Sequence, residues 1–137
     1  MIIFSEKQIK ALFTYCIEGL PNECCGLLAG IIEDGIKTVT HIFYLKNTDQ
    51  SPEHFSMDIK EQFQVISQIR KNNLQLVGNF HSHPSTPSRP SAEDIRLAFD
   101  PNLSYVIISL QERENPVINS FNIKDSKAGK DQLQVME

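Results

Sequence analysis

Two histidines one residue apart, His81 and His83, lie in the run Asn79-Phe80-His81-Ser82-His83-Pro84, and Ser91 and Asp94 follow shortly after. Imidazole nitrogens and carboxylate oxygens are donors that Zn2+ accepts, and a catalytic zinc takes three protein donors while keeping a position for water. Leu74 to Phe80 is an apolar-rich run that reads as a strand, with His81 and His83 at its end. Side chains two apart on a strand share a face, so both imidazoles can reach one ion. Pro84, Pro87 and Pro90 keep the next residues out of regular structure until Ser91 opens a short helix that Pro101 closes. That bend can return Asp94 to the strand end, which qualifies it as the third donor. By itself H-x-H specifies little, and Ser-x-x-Asp at a helix start is also a capping box. The metal reading rests on the four residues together.

Water activated by a metal still needs a base that takes its proton and passes it to a leaving amine. Glu23 is the candidate, an acid at the mouth of the apolar segment Cys25-Gly26-Leu27-Leu28-Ala29-Gly30. The competing reading is an exposed loop carboxylate. His41 and His54 have no partner at ligand spacing, Phe55 and Met57 read as core packing, and Arg89 as a solvated loop residue.

The elements that must position these groups follow from the pattern. Ser5 and Gln8 form a possible capping box before Ile9, Leu12, Phe13, Cys16, Ile17 and Leu20, which predicts a helix over residues 6–19. Cys25 to Ile32 and Lys37 to Leu45 read as a hairpin joined by Glu33-Asp34-Gly35. Asp58 with Glu61 opens a second helix ending near Asn72-Asn73. Tyr105 to Leu110 and Val117 to Ile123 are expected strands, Leu133 to Met136 a weak last one, and Lys124 to Asp131 an expected disordered piece. The order α, β, β, α, β, α, β, β predicts an α/β sandwich, a mixed sheet with helices on its faces, in one domain over residues 1–137.

The chain of 137 residues is long enough to bury a core without a structural metal, so a zinc here would serve catalysis. A formal charge of −4 argues against a nucleic-acid partner. No apolar run approaches the roughly 20 residues of a membrane span, and the first residues lack the features of a signal peptide. Three cysteines, Cys16, Cys24 and Cys25, are a poor disulfide framework. The expectation is a soluble cytoplasmic protein with free thiols.

Glu23-Cys24-Cys25-Gly26, then His81-Ser82-His83-Pro84, then Ser91-Ala92-Glu93-Asp94 with Pro84 to Pro90 between them, resemble the signature of the JAMM metallopeptidases, also called MPN-domain or JAB-type zinc isopeptidases. The element order over residues 5–123 is similar as well. The resemblance implies a cytidine-deaminase-like three-layer α/β fold, with one Zn2+ held by His81, His83 and Asp94. It also implies Glu23 as general acid/base and Ser91 as donor to the oxyanion. The implied reaction is hydrolysis of a peptide or isopeptide bond after the C-terminal Gly-Gly of a ubiquitin-like or sulfur-carrier protein, with glycines needed where side chains would clash near the metal. Such a tail could add to an exposed strand edge. Two other readings stand beside it. One is a non-catalytic MPN scaffold, although such modules generally lose a ligand or the Glu. The other is a thiol hydrolase pairing Cys24 or Cys25 with His81 or His83, which would need a thiolate in a positive setting.

Overall fold

The computed structural model describes residues 1–98 and 100–137. Its elements are β1 (Ile2–Ser5), α1 (Glu6–Glu18), β2 (Cys25–Glu33), β3 (Ile36–Leu45), α2 (Ile59–Lys71), β4 (Gln75–His83), α3 (Ala92–Leu97), β5 (Ser104–Ser109), β6 (Val117–Lys124), β7 (Lys127–Asp131) and β8 (Leu133–Met136). Ser5 and Gln8 make the expected capping box at the start of α1, with Gln8 N–H on Ser5 Oγ at 3.1 Å. Asp58 caps α2 through Glu61 N–H. The Glu61 carboxylate, however, turns to Lys46 N–H instead of completing a box. The β2–β3 turn is Asp34-Gly35, both at positive φ, as a tight two-residue hairpin requires.

One eight-stranded mixed sheet runs in the order β7-β6-β5-β4-β2-β3-β1-β8. Its two end strands are neighbours in the chain, separated by Gln132 alone. The sheet therefore curls until its ends meet, and the seam carries a bond from Ile2 N–H to Gln132 O at 2.9 Å and an ion pair between the Met1 ammonium and Asp131 at 3.1 Å. Helix α1 lies in the hollow: Ile9, Leu12 and Cys16 pack with Phe4, Leu28, Phe80, Val106 and Ile108, all buried. On the other face Ile95 and Ala98, at and just past the end of α3, pack on Tyr105, Ile107, Phe121 and Ile123.

His81 and His83 sit at the end of the strand as expected, and β4 includes both because it keeps pairing with β2 and β5 past Phe80. One expectation changes, and one strand is new. Lys124 to Asp131 is no disordered piece: Asp125 and Ser126 form a turn and β7 pairs along β6. The side chains of Lys127 to Lys130 are exposed, so backbone pairing and the seam hold the strand rather than burial. β1, for which the sequence pattern offers no element, is a strand between β3 and β8. Helix α3 ends at Leu97; Phe99, within the stretch read as helix up to Pro101, lies outside the described residues.

Gly26 explains itself in this frame. It pairs with Tyr44 on one side and Phe80 on the other, and a Cβ there would collide with the Phe43 carbonyl and the Phe80 ring. Gly26→Ala is expected to lower unfolding free energy by about 1–3 kcal/mol or more, read from urea denaturation midpoints; an unchanged midpoint would mean the strands separate freely here.

Candidate metal centre

Strand parity builds the site. Cys25 pairs with His81 across the antiparallel β2–β4 ladder. Ser82 continues the pairing by one residue, its N–H donating to Cys24 O at 2.9 Å and its Oγ accepting from Cys24 N–H at 2.8 Å. One residue further, Glu23 comes opposite His83. Glu23, His81 and His83 therefore share the face that α3 covers, while Cys24, Phe80 and Ser82 point toward α1. All three groups of this face are buried.

The proline-rich loop brings Asp94 to them. Ser88 Oγ donates to Ile107 O at 2.7 Å and Ser109 Oγ to Thr86 O at 2.6 Å, which ties the loop to β5. At the start of α3, Ser91 Oγ accepts from Asp94 N–H at 3.0 Å and Ser91 N–H donates to Asp94 Oδ2 at 2.9 Å, a complete capping box. The same Oδ2 stands 3.1 Å from Nε2 of His81 and 3.1 Å from Nε2 of His83, and the two nitrogens are 3.1 Å apart. Capping and convergence on the histidines are thus two uses of one carboxylate.

That triangle suits a cation. Pro87 O can only accept, so His83 donates to it from Nδ1 at 2.9 Å, and in the neutral ring Nε2 keeps its lone pair toward Asp94 and His81. Lone pairs facing each other with at most a proton between them repel unless a positive ion sits among them. The spacing is close to the ~3.3 Å expected between ligands about 2.0–2.1 Å from a tetrahedral zinc. Among the described residues, His81, His83 and Asp94 are the group of His, Cys, Asp and Glu able to hold a metal ion.

The surrounding charges follow from burial and contact. Burial pushes the Glu23 carboxyl up to about 8, against the opposing pull of His83 and with the aid of Asp94. Burial also acts to raise Asp94, but the hydrogen bonds from His81 and His83 outweigh it and hold the carboxyl well below the usual range. Burial lowers His81; in His83 it is outweighed by Asp94 and Pro87, so that imidazole is raised.

Phe55, expected in the core, stacks on His81 with ring centroids 4.6 Å apart. With Met57 it lines a cavity of about 450 Å3 that reaches His81 and Asp94 and runs between α2 and α3. His54, which has no partner at ligand spacing in the sequence, pairs with Glu93 at 2.8 Å beside the site. No local pattern announces a pair 39 residues apart. Arg89 is exposed, as expected. Cys24 faces α1 and its thiol approaches Tyr15 O and Cys16 O, away from the histidines. Cys25 shares the face of His81, but burial pushes its thiol up to about 12. Neither offers a thiolate to an imidazole.

The sequence model for prokaryotic homologs of the JAB domain matches residues 5–124. The chain belongs to this JAB-domain family. It is 27% identical to the CysO-cysteine peptidase of Mycobacterium tuberculosis over 137 residues, all of this chain and 92% of that protein. It is 34% identical to the desampylase of Pyrococcus furiosus over 94 residues, 69% of this chain and 64% of that protein. The solution structure of protein DSY2949 from Desulfitobacterium hafniense superposes with a TM-score of 0.92 at 49% identity, covering all of this chain and 94% of that one. The α/β fold of this family is thus the fold of this chain.

Because metal must displace the proton of His83, which is held above the ordinary imidazole range, zinc affinity is expected to fall as pH drops. Competition with a chelating dye should give at least tenfold weaker binding at about pH 6 than at about pH 8. Equal affinity at both would mean that the imidazoles do not bind the ion.

Proposed function

We propose that this JAB-domain protein is a zinc-dependent peptidase that hydrolyses the peptide or isopeptide bond after the C-terminal Gly-Gly of a ubiquitin-like or sulfur-carrier protein. The observation that carries it is the convergence of Nε2 of His81, Nε2 of His83 and Oδ2 of Asp94 on one face with the buried Glu23. The names of the two relatives, a CysO-cysteine peptidase and a desampylase, support the same class of substrate.

His81, His83 and Asp94 are the residues that would hold zinc. When bound, zinc would supply Lewis acidity, polarising a carbonyl and lowering the pKa of water to about 7. Glu23 takes the proton of the attacking water and delivers it to the departing nitrogen; burial raises its carboxyl above the ordinary carboxylate range, toward that of a group able both to take and to release a proton. Ser91 Oγ accepts from Asp94 N–H, which leaves its own O–H to donate to the oxyanion. The cavity beside His81 gives an extended tail an apolar channel to the site. Ile59 and Phe63 on α2, each 68% exposed, and Leu97 on α3 offer the body of a folded substrate an apolar surface next to it.

Zinc-loaded protein incubated with a ubiquitin-fold sulfur carrier extended past Gly-Gly is expected to release the extension, seen by mass. Glu23→Gln should keep the zinc and lose this cleavage, while thiol alkylation should leave it intact. Zinc-loaded protein inert toward several such carriers would favour the non-catalytic scaffold. Ser91→Ala is expected to lower kcat by about 10²–10³-fold, as for one lost oxyanion donor. A loss of about 1 kcal/mol of stability with kcat unchanged would reduce Ser91 to a helix cap.

A further inference from the structure

Glu23 precedes β2 and lies outside regular structure, yet its peptide is held at both ends by one loop, residues 46–57. Its N–H donates to Ser51 O at 2.8 Å, and its carbonyl accepts from Nδ2 of Asn47 at 3.0 Å. Asn47 uses every hydrogen-bonding position of its amide. Nδ2 also donates to His54 O at 2.9 Å, and Oδ1 accepts from the N–H groups of Asp49 at 3.0 Å and Ser56 at 3.2 Å. Two carbonyls demand the nitrogen and two N–H groups demand the oxygen, so the amide has one orientation.

Three of these bonds fold the loop on itself; the fourth leaves it and ends on Glu23. The loop also carries Phe55, stacked on His81, and His54, paired with Glu93 one residue before Asp94. Asn47 thus stands where the general acid/base, the ring that covers one imidazole and the tie to α3 meet. A Glu side chain has three rotatable bonds, so any drift of its backbone passes to the carboxylate. A misplacement of about 1 Å can cost about 10²-fold in rate.

We propose that Asn47 is a positioning residue that sets Glu23 against the triangle of His81, His83 and Asp94, a role that rests on the peptidase reading above. Asn is the residue type the place demands: Asp keeps the oxygen that folds the loop but loses both donors, and Ala loses all four bonds.

Asn47→Asp and Asn47→Ala in the full zinc-loaded chain test this. Amide exchange followed by 15N NMR should show Glu23 N–H exchanging at least about tenfold faster in both variants, with the amides of Val106 and Ile107 unchanged. Zinc content should stay at that of the unaltered chain. On the Gly-Gly-extended carrier, kcat should fall about 10- to 100-fold while KM stays within about threefold. Unchanged exchange at Glu23 in both variants overturns the proposal, as does faster exchange with unchanged kcat, or a rise in KM alone. Loss of zinc in Asn47→Asp also overturns it, since the residue would then support the metal-holding face as a whole. If the unaltered zinc-loaded chain leaves the carrier intact, the peptidase reading fails, and Asn47's hold on Glu23 is decided by the exchange rates.

Discussion

Cys25 stands opposite His81, and the Cys24 peptide exchanges two hydrogen bonds with Ser82; everything at the site depends on this register. A slip of one residue would turn Glu23 toward α1 and Cys24 toward Asp94, exchanging a carboxylate for a thiol beside the triangle of His81, His83 and Asp94. Ser82 is the lock. Its side-chain oxygen substitutes for a strand carbonyl where regular pairing ends, so the register persists beyond Cys25 to Glu23. Gly26 guards the same register from the α1 side, since any side chain there would drive β2 away from Phe43 and Phe80.

Buried Glu23, His81 and His83 meet half-buried Asp94 on this face, and burying charges costs several kcal/mol each unless they are paired. Asp94 stays charged because His81, His83 and the Ser91 N–H surround it, whereas Glu23 keeps its proton to about 8. The larger apolar core lies on the opposite side of the sheet, where α1 sits in the hollow of the curled strands against Phe4, Leu28, Phe80 and Ile108, and a smaller one, Tyr105, Ile107, Phe121 and Ile123, flanks the site under α3. The central strand β4 presents Phe80 and Ser82 to one face and His81 and His83 to the other.

Much of this was legible in the chain itself. The H-x-H spacing predicts a shared face because strand parity is strict, and the prolines followed by Ser91 predict the turn that returns Asp94. The capping box at Ser91 and Asp94 and the approach to the histidines turned out to be compatible, since a carboxylate oxygen can accept more than one partner. What escaped is held by contacts that have no period: the Asn47 amide on the Glu23 carbonyl, the Ser51 carbonyl on the Glu23 N–H, and His54 on Glu93. β7 escaped for a related reason: Lys127 to Lys130 are exposed, and the strand forms through backbone pairing and the seam at Gln132.

In the proposed peptidase one zinc is held by three named atoms while Glu23 stays free to move a proton. Anomalous diffraction at the zinc edge from crystals of the zinc-loaded protein tests this. A single peak is expected, bonded at about 2.0–2.1 Å to Nε2 of His81, Nε2 of His83 and Oδ2 of Asp94, with the Glu23 carboxylate outside bonding distance. Zinc bonded to Glu23 or to Cys25, or a peak away from this face, would contradict it.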